Sequence, residues 1–351
     1  CGGSTVGPVP EKMQAWRVHK QCDSADETIS NMKIEEVDVP KPQNGQVLIK
    51  VHFAAVNHFD WKLMKGGLKE TCSVSCPYTP GFDVSGVIAK LGPGVKGLKV
   101  GDRVCVSIGA LETCKQDTPI GPAGGFAQYA IALAETVSKT GLALEKAVVF
   151  PMVGLATYQA LFTGRGKSFQ DEELGKLKRG NKLLVLGGST LAGMFAIQMA
   201  KSRSVKVAAT ASTKKVGNVT KLNHVKRLGA KVAIDYTAQD WSEALAGQNY
   251  DMILDCSGVV EDWPKANKVL KKGGQYVSIA NFTGPVSTQD HNFKVFINKS
   301  NKEDLNKVLK MGLTPHTHQI LGFEQVKDAL LACMYNECNG KMVIRVAGGK
   351  V

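Results

Sequence analysis

No stretch of this 351-residue chain reaches the roughly 20 uncharged apolar residues needed to cross a bilayer, so a soluble protein without a membrane span is expected. Cysteine gives no framework either. There are nine, an odd number, and none stands at CxxC spacing: after Cys72 and Cys76 the next are Cys105 and Cys114. That excludes a disulfide-stapled scaffold and a finger-like zinc lobe, and reads as reduced thiols. Ser-His-Asp sets and paired carboxylates at meaningful spacing are absent. The seven histidines are scattered, and His316 with His318 reads as a loop rather than a ligand pair. Acidic residues are few, 31 against 44 Lys and Arg, which leaves a formal charge of +13. The lysines are spread out, with short pairs such as Lys214-Lys215 and no long basic tract. Nucleic acid is therefore not an expected partner, whereas a solvated basic surface and an anionic cofactor both suit the charge.

What is present is the composition of a globular protein, 43% apolar and 21% charged, at a length that allows two domains. Residues 1–12 are Gly/Pro-rich and expected to be disordered. Because the chain starts at Cys1, it reads as a trimmed precursor or as carrying an added remnant. The expected compartment is cytoplasmic, or an organelle matrix or stroma if a targeting peptide has been removed.

The first third reads as strands: GQVLIKVHFAAVN, GFDVSGVIAKLG and KVGDRVCVSI, with Gly-rich turns that suggest a partly closed barrel. Near Pro151 the pattern changes to alternating strand and helix. Strands are expected at 183–186, 205–212, 231–236, 251–256 and 275–280. Helices are expected at AGMFAIQMAK, VTKLNHVKRLG and WPKANKVLKKG, the last two stopping at Gly. Two helices around 302–311 and 323–334 and a strand at KMVIRV close the chain. Such alternation calls for a parallel sheet covered on both faces. No internal repeat of 20 to 50 residues is present.

LLVLGGSTLAGMFAIQMAK, residues 183–201, is a buried strand, a glycine turn and a helix start. A dinucleotide fingerprint would place glycines at 187, 190 and 193; the middle one is Thr190. Hydroxyls of Ser189 and Thr190 could bond phosphate oxygens, while the N–H groups of Leu191, Ala192 and Gly193 open the helix. At the end of the second strand an NAD site wants a carboxylate. This chain has Ser212-Thr213-Lys214-Lys215 with no carboxylate nearby, which suits a 2′-phosphate and hence NADPH. A degenerate loop and two solvated lysines are the bland alternatives.

GQVLIKVHFAAVNHFDWKLMKG, GFDVSGVI, GVKGLKVGDRV, GGFAQYA, PMVGLATYQAL, LGA-x-VAIDY and NGKMVIRV occur in the order seen in the medium-chain dehydrogenase/reductase superfamily. From about residue 13 to 346 the chain resembles its zinc-free quinone-oxidoreductase branch, and DWK at 60–62 is similar to chloroplast-envelope quinone oxidoreductase homologues. The resemblance implies an α/β protein: a GroES-like, partly open β-barrel domain (13–152 and 301–351) plus a doubly wound Rossmann domain (153–300). It implies that Asn57 stands where zinc-dependent cousins have Cys, and Phe82-Asp83 where they have His-Glu, so no zinc is expected. Tyr236 would line the 2′-phosphate pocket, and Ser257 and Gly258 the adenosine ribose. Ala280, Asn281 and Phe282 would pass over the nicotinamide, and Thr157, one place beyond the usual family threonine, would contact it.

Without a Lewis acid, hydride transfer to a conjugated acceptor is the easier chemistry, since a quinone or enone spreads the new charge. The expected activity is NADPH-dependent reduction of quinones or α,β-unsaturated carbonyls. Asn57 is the expected hydrogen-bond donor to the acceptor, unless it satisfies a local backbone. Asp60 and Lys62 are expected to pair and shape the loop, with Lys62 a candidate proton donor. A non-catalytic nucleotide-binding protein and an enoyl-thioester reductase stay open beside this reading. A homodimer is expected by analogy with relatives.

Overall fold

Period-two alternation in the first third of the chain becomes a run of paired strands. The computed structural model describes residues 7–66, 75–108, 124–168, 175–281 and 292–347. It divides into two units, Cys1–Met152 with Ser300–Leu309 and Thr314–Val351, and Val153–Lys299 with Lys310–Leu313. In chain order the elements begin with β1 (Lys12–Arg17), α1 (Ala25–Ser30), β2 (Lys33–Asp38), β3 (Gln46–Ala55) and α2 (His58–Met64). They continue with β4 (Asp83–Leu91), β5 (Arg103–Ser107), β6 (Tyr129–Leu133), β7 (Ser138–Lys139), α3 (Leu144–Ala147) and α4 (Pro151–Tyr158). The second unit contributes β8 (Lys167–Ser168), β9 (Lys182–Leu186), α5 (Leu191–Ser202), β10 (Lys206–Ala211), β11 (Lys215–Val216) and β12 (Val219–Thr220). After these come α6 (Lys221–Leu228), β13 (Val232–Asp235), α7 (Trp241–Ala244), β14 (Tyr250–Asp255), β15 (Leu270–Ser278) and β16 (Asn292–Ile297). The chain ends through α8 (Lys302–Lys310), β17 (Thr317–Gly322), α9 (Val326–Met334) and β18 (Lys341–Arg345).

In the first unit the sheet order is β17-β18-β3-β4-β5-β7, with β6 also paired to β3. β3 carries a near-continuous apolar run because both of its faces are covered. Val47, Ile49 and Val51 enter the main core with Val84, Ile88, Val104, Val106 and Phe126, while Leu48 packs with Met13, Ala15 and Tyr129 on the other side. α9 closes the main core through Val326, Ala329, Leu330 and Cys333, and Trp61 lies partly buried against it. β1 and β2, an antiparallel pair outside the expected strands, form a separate two-stranded sheet.

In the second unit the order is β13-β10-β9-β14-β15-β16-β8, parallel except where β8 meets β16. Counting from β9, this is the 3-2-1-4-5-6 arrangement of a doubly wound nucleotide-binding sheet. Its core is aromatic on one side: Trp263 lies 5.4 Å from Tyr276 and 5.0 Å from Phe293, ring centre to centre. One expected element is corrected. WPKANKVLKKG is not a helix stopping at Gly: a 3₁₀ stretch, Val260–Lys268, contains Pro264 and gives way to β15 at Leu270. Proline removes an N–H from any α ladder, and burial of Val269 and Leu270 rewards pairing with β14 instead. β16 and β17 were also not expected as strands.

Candidate active site

In a doubly wound sheet the ligand crevice opens beyond the carboxyl ends of the strands where the order reverses, here β9 and β14. The turn after β9 starts at Gly187, in the left-handed region at φ +74°, where a Cβ would come within 3.1 Å of Ser257 N. At Gly193 a Cβ would stand 2.3 Å from Gly187 O, so the helix can approach the turn this closely only with glycine there. Thr190 is the N-cap of α5. Its hydroxyl accepts from Gly193 N at 3.0 Å and donates to Gly187 O at 2.8 Å. The expectation that this hydroxyl bonds a phosphate is therefore corrected: its proton is committed to closing the turn. The N–H groups of Leu191 and Ala192, in the first turn of α5, have no intrahelical acceptor and are the donors an anion would meet, with half-buried Ser189 beside them. Thr210, which the sequence reading missed, fixes the turn from β10: its Oγ1 accepts from Gly187 N at 3.0 Å and its carbonyl from Gly188 N at 2.8 Å. A lone hydroxyl in the apolar run VAATA was the available signal.

Beyond β10 the chain forms a hairpin, β11 to β12, that leads into α6. Ser212 and Lys214 accept from Leu222 N and Lys221 N through their carbonyls, at 3.0 and 2.9 Å. Thr213, Lys214 and Lys215 are exposed, and among the described residues neither lysine has an ion pair. Tyr236, just past β13, is 56% exposed. The expectation of no nearby carboxylate holds only along the sequence. Across the ladder Asp235 stands opposite Ala211, and its Oδ1 accepts from Thr237 N at 3.0 Å and Thr237 Oγ1 at 2.6 Å. Two strands that meet only in the fold hid this neighbour.

At the end of β14, buried Asp255 organises the facing loops. Its Oδ1 accepts from Ser257 N, Ser257 Oγ and Gly258 N at 2.8–2.9 Å, and its Oδ2 from Ser278 Oγ at 2.7 Å. Ser278 Oγ in turn accepts from Ala280 N at 3.4 Å and Asn281 N at 2.9 Å. Ser257, Gly258, Ala280 and Asn281 are thus gathered by one carboxylate, a residue the sequence reading passed over. Thr157 is buried in α4 with its hydroxyl unpartnered. Phe282 lies outside the described residues.

The first unit holds a buried polar cluster. Asn57, 5% exposed, is the N-cap of α2. Its Nδ2 donates to Asp83 Oδ2 at 3.1 Å and to Ala55 O at 3.4 Å, and its Oδ1 accepts from Lys341 Nζ. Lys341, 3% exposed, also pairs with Asp83 Oδ2 at 2.9 Å, and Asp83 Oδ1 accepts from Met152 N at 2.9 Å. Asn57 is consequently corrected as a donor to substrate, because both amide protons are already used. Asp60, 1% exposed, accepts from Asn57 N at 2.7 Å and Gly81 N at 3.2 Å, closing a capping box. Its expected pairing with Lys62 is corrected too: Lys62 Nζ lies 5.7 Å over the Trp61 ring. Burial pushes the Asp60 carboxyl up to about 7, against the pull of its two backbone donors and of Lys341. Among the described residues no three His, Cys, Asp or Glu come together as a metal site.

Comparison with known proteins agrees with this architecture. Residues 43–141 match the alcohol dehydrogenase GroES-like domain and residues 192–303 the zinc-binding dehydrogenase family. The chain is 34% identical to a 2-methylene-furan-3-one reductase of Solanum lycopersicum, over 97% of its own length and 81% of that protein. It belongs to the medium-chain dehydrogenase/reductase superfamily. Within that superfamily it falls in the zinc-free, quinone-oxidoreductase-like branch. A chloroplastic NADPH-dependent alkenal/one oxidoreductase of Arabidopsis thaliana is likewise 34% identical, over 96% of this chain and 80% of the relative. The solved quinone oxidoreductase from Coxiella burnetii superposes at a TM-score of 0.76 with 24% identity, covering 96% of this chain and all of that one, a likeness of fold. The GroES-like and Rossmann architectures expected of this superfamily member are those of its two units.

Proposed function

We propose that this protein reduces α,β-unsaturated carbonyl compounds, and quinones beside them, using NADPH. The observation that carries the reading is the near-full-length likeness to two relatives named for conjugated-carbonyl reduction, one of them NADPH-dependent. The second unit fits the cofactor on its own geometry: the space a Cβ would fill at Gly187 and Gly193 is closed to side chains, and two helix-start N–H groups face out. Leu191, Ala192 and Ser189 would hold the pyrophosphate, and Ser212, Lys214, Lys215 and Tyr236 the 2′-phosphate. Ser257 and Gly258 would border the ribose, with Thr157, Ala280 and Asn281 toward the nicotinamide. When bound, NADPH supplies a hydride for the acceptor's β-carbon, and a proton completes the saturated product.

The chain's own contribution is placement. Asp255 sets the loops after β14 and β15 through four hydrogen bonds, so their backbone needs no rearrangement on binding. The Asn57–Asp83–Lys341 cluster fixes the start of α2, which carries Lys62, the remaining candidate for delivering a proton. Simple alcohols are poor substrates on this reading, because Asn57 and Phe82 cannot ligate a metal that would stabilise an alkoxide. The test is a panel of enones, alkenals, quinones and enoyl thioesters with NADPH. Turnover strongest with enones and alkenals is expected, unaffected by chelators; tight NADPH binding without turnover on any acceptor overturns the reading. A plastid stroma is the proposed location, following the chloroplastic relative, and the position of a fluorescent fusion in plant cells tests it.

A further inference from the structure

Residues 175–234 hold 13 of the chain's 44 lysines and arginines and none of its 31 aspartates and glutamates. The whole formal charge of +13 therefore belongs to β9, α5, β10, the β11–β12 hairpin and α6, with the turns around them. Lys214, Lys215 and Lys221 stand beyond the carboxyl end of β10, on the cofactor side. The fold gathers most of the others at the opposite edge. There Lys182 and Lys206 open β9 and β10 as neighbours across the ladder, and Lys231, entering β13, donates its N–H to Val207 O at 2.8 Å. The turn carrying Lys178 and Arg179 lies against the entry to β10, with Gly180 N donating to Ser204 O at 3.0 Å. α5 and α6 end at this edge with Lys201, Lys226 and Arg227, and a Cβ at Gly229 would come within 2.5 Å of Lys201 Cδ.

Helix carboxyl ends attract cations, which accounts for Lys201, Lys226 and Arg227. It does not account for Lys178, Arg179, Lys206 and Lys231. All seven are exposed, and among the described residues none has an ion pair. Nor do they serve the cofactor: the six residues of β10 span about 20 Å, while salt screens exposed charges beyond about 8 Å.

We propose that this edge is a docking face for an anionic lipid surface, holding the second unit at a membrane with the carboxyl ends of its strands turned away. A partner protein is read through both signs of charge and through aromatic anchors, and this face has one sign only. Single-stranded nucleic acid needs rings to stack on, and the one Phe, Tyr or Trp in residues 175–234, Phe195, is buried. The helix ends here present carbonyls, not the N–H groups that cradle a single phosphate. A lipid surface asks only for a dense set of cations, each of which tightens binding about fivefold.

The experiment is co-sedimentation of the full chain with vesicles of equal parts phosphatidylglycerol and phosphatidylcholine, and with phosphatidylcholine vesicles alone. NADPH titration and thermal melts accompany each variant. Wild type is expected on the anionic vesicles only, and to be released by high salt. Lys178→Gln, Lys206→Gln and Lys231→Gln together should weaken that binding about a hundredfold and leave NADPH affinity as in wild type. The matched triple at the other end, Lys214→Gln, Lys215→Gln and Lys221→Gln, should change vesicle binding by less than about threefold. No binding to the anionic vesicles, or equal loss from both triples, overturns the docking face. Tighter binding of single-stranded RNA or duplex DNA than of the anionic vesicles overturns it as well, and makes the edge a nucleic-acid surface.

Discussion

Lys341 and the Lys214-Lys215 pair carry the same ammonium group and sit in opposite circumstances. Lys341 is enclosed in the first unit, bonded to Asn57 and Asp83, and those partners are themselves committed to neighbours. Lys214 and Lys215 lie in the open in the second unit, on a segment fixed by its backbone. Removal from water forces a charge to find its partners within the chain, and a group so satisfied has nothing left for a ligand. An exposed charge can wait for one. The contrast separates residues that hold the scaffold from residues that bind, and it moves Asn57 and Asp60 to the first class.

The largest break in this contrast should come from Lys341→Met. It leaves Asp83 buried beside Asn57 without its cation, and removing one partner of a buried pair costs about 3–5 kcal/mol. Denaturant unfolding of the first unit should show that loss. Asp83→Asn added to Lys341→Met should recover part of it, since the stranded charge is then gone. The same charge removal at Lys214 and Lys215 should leave the unfolding midpoint unchanged. A Lys341→Met protein as stable as wild type would mean that the cluster holds nothing together.

Asp60 sharpens the same point through pH. Its folded value of about 7 lies well above the usual carboxyl range near 4. Between those values the unfolded chain has released the proton while the folded chain keeps it. Stability is therefore lost as pH rises from about 4 to about 7, by at most about 1.4 kcal/mol per pH unit, and is flat above. Asp60→Asn cannot ionise, so its stability relative to wild type should climb across that window on top of a constant offset for the lost acceptor. A relative stability that stays level from pH 4 to 7 would show that Asp60 ionises as freely in the fold as out of it.

Both architectures were legible in the sequence because each rests on local periodicity: β3's apolar run, the strand–helix alternation after Pro151, and the glycine turn at 187. The 3₁₀ stretch ahead of β15 was misread as α-helix, since its apolar spacing fits a helix until the pairing of Leu270 with Tyr250 is known. Within the site, sequence reading found the residue types but not their commitments. Thr190 looks like a phosphate ligand until its bonds to Gly187 and Gly193 appear, and Asn57 looks like a free donor until Asp83 and Lys341 close on it. Neighbours that come from distant strands, Asp235 beside Ala211 and Lys341 beside Asn57, leave no mark in local spacing.

On the open side of the contrast, replacing Lys214 and Lys215 together with alanine should weaken NADPH at least tenfold and leave NADH nearly unchanged. A hydrogen bond to a charged group contributes about 1.5–3 kcal/mol, and 1.4 kcal/mol is one decade of affinity. Isothermal titration of both nucleotides reads it directly. Equal weakening of the two would mean that the lysines act through general attraction and do not meet the 2′-phosphate.

The smallest effect is expected at Thr190, and it tests the correction made there. Thr190→Gly removes the hydroxyl but keeps an acceptable N-cap, which costs only a few tenths of a kcal/mol. The N–H groups of Leu191 and Ala192 still point out of the first turn of α5, and Gly187 keeps its bond to Thr210. NADPH affinity should therefore change by less than about threefold. Thr190→Glu sets the scale, because a carboxylate at the same position places like charge beside the pyrophosphate and should weaken binding far more. If Thr190→Gly cost NADPH tenfold or more, the hydroxyl would have to reach a phosphate oxygen despite its two bonds within the turn. Thr190 would then belong with Lys214 and Lys215 among the groups that bind, instead of with Asn57 among those that hold.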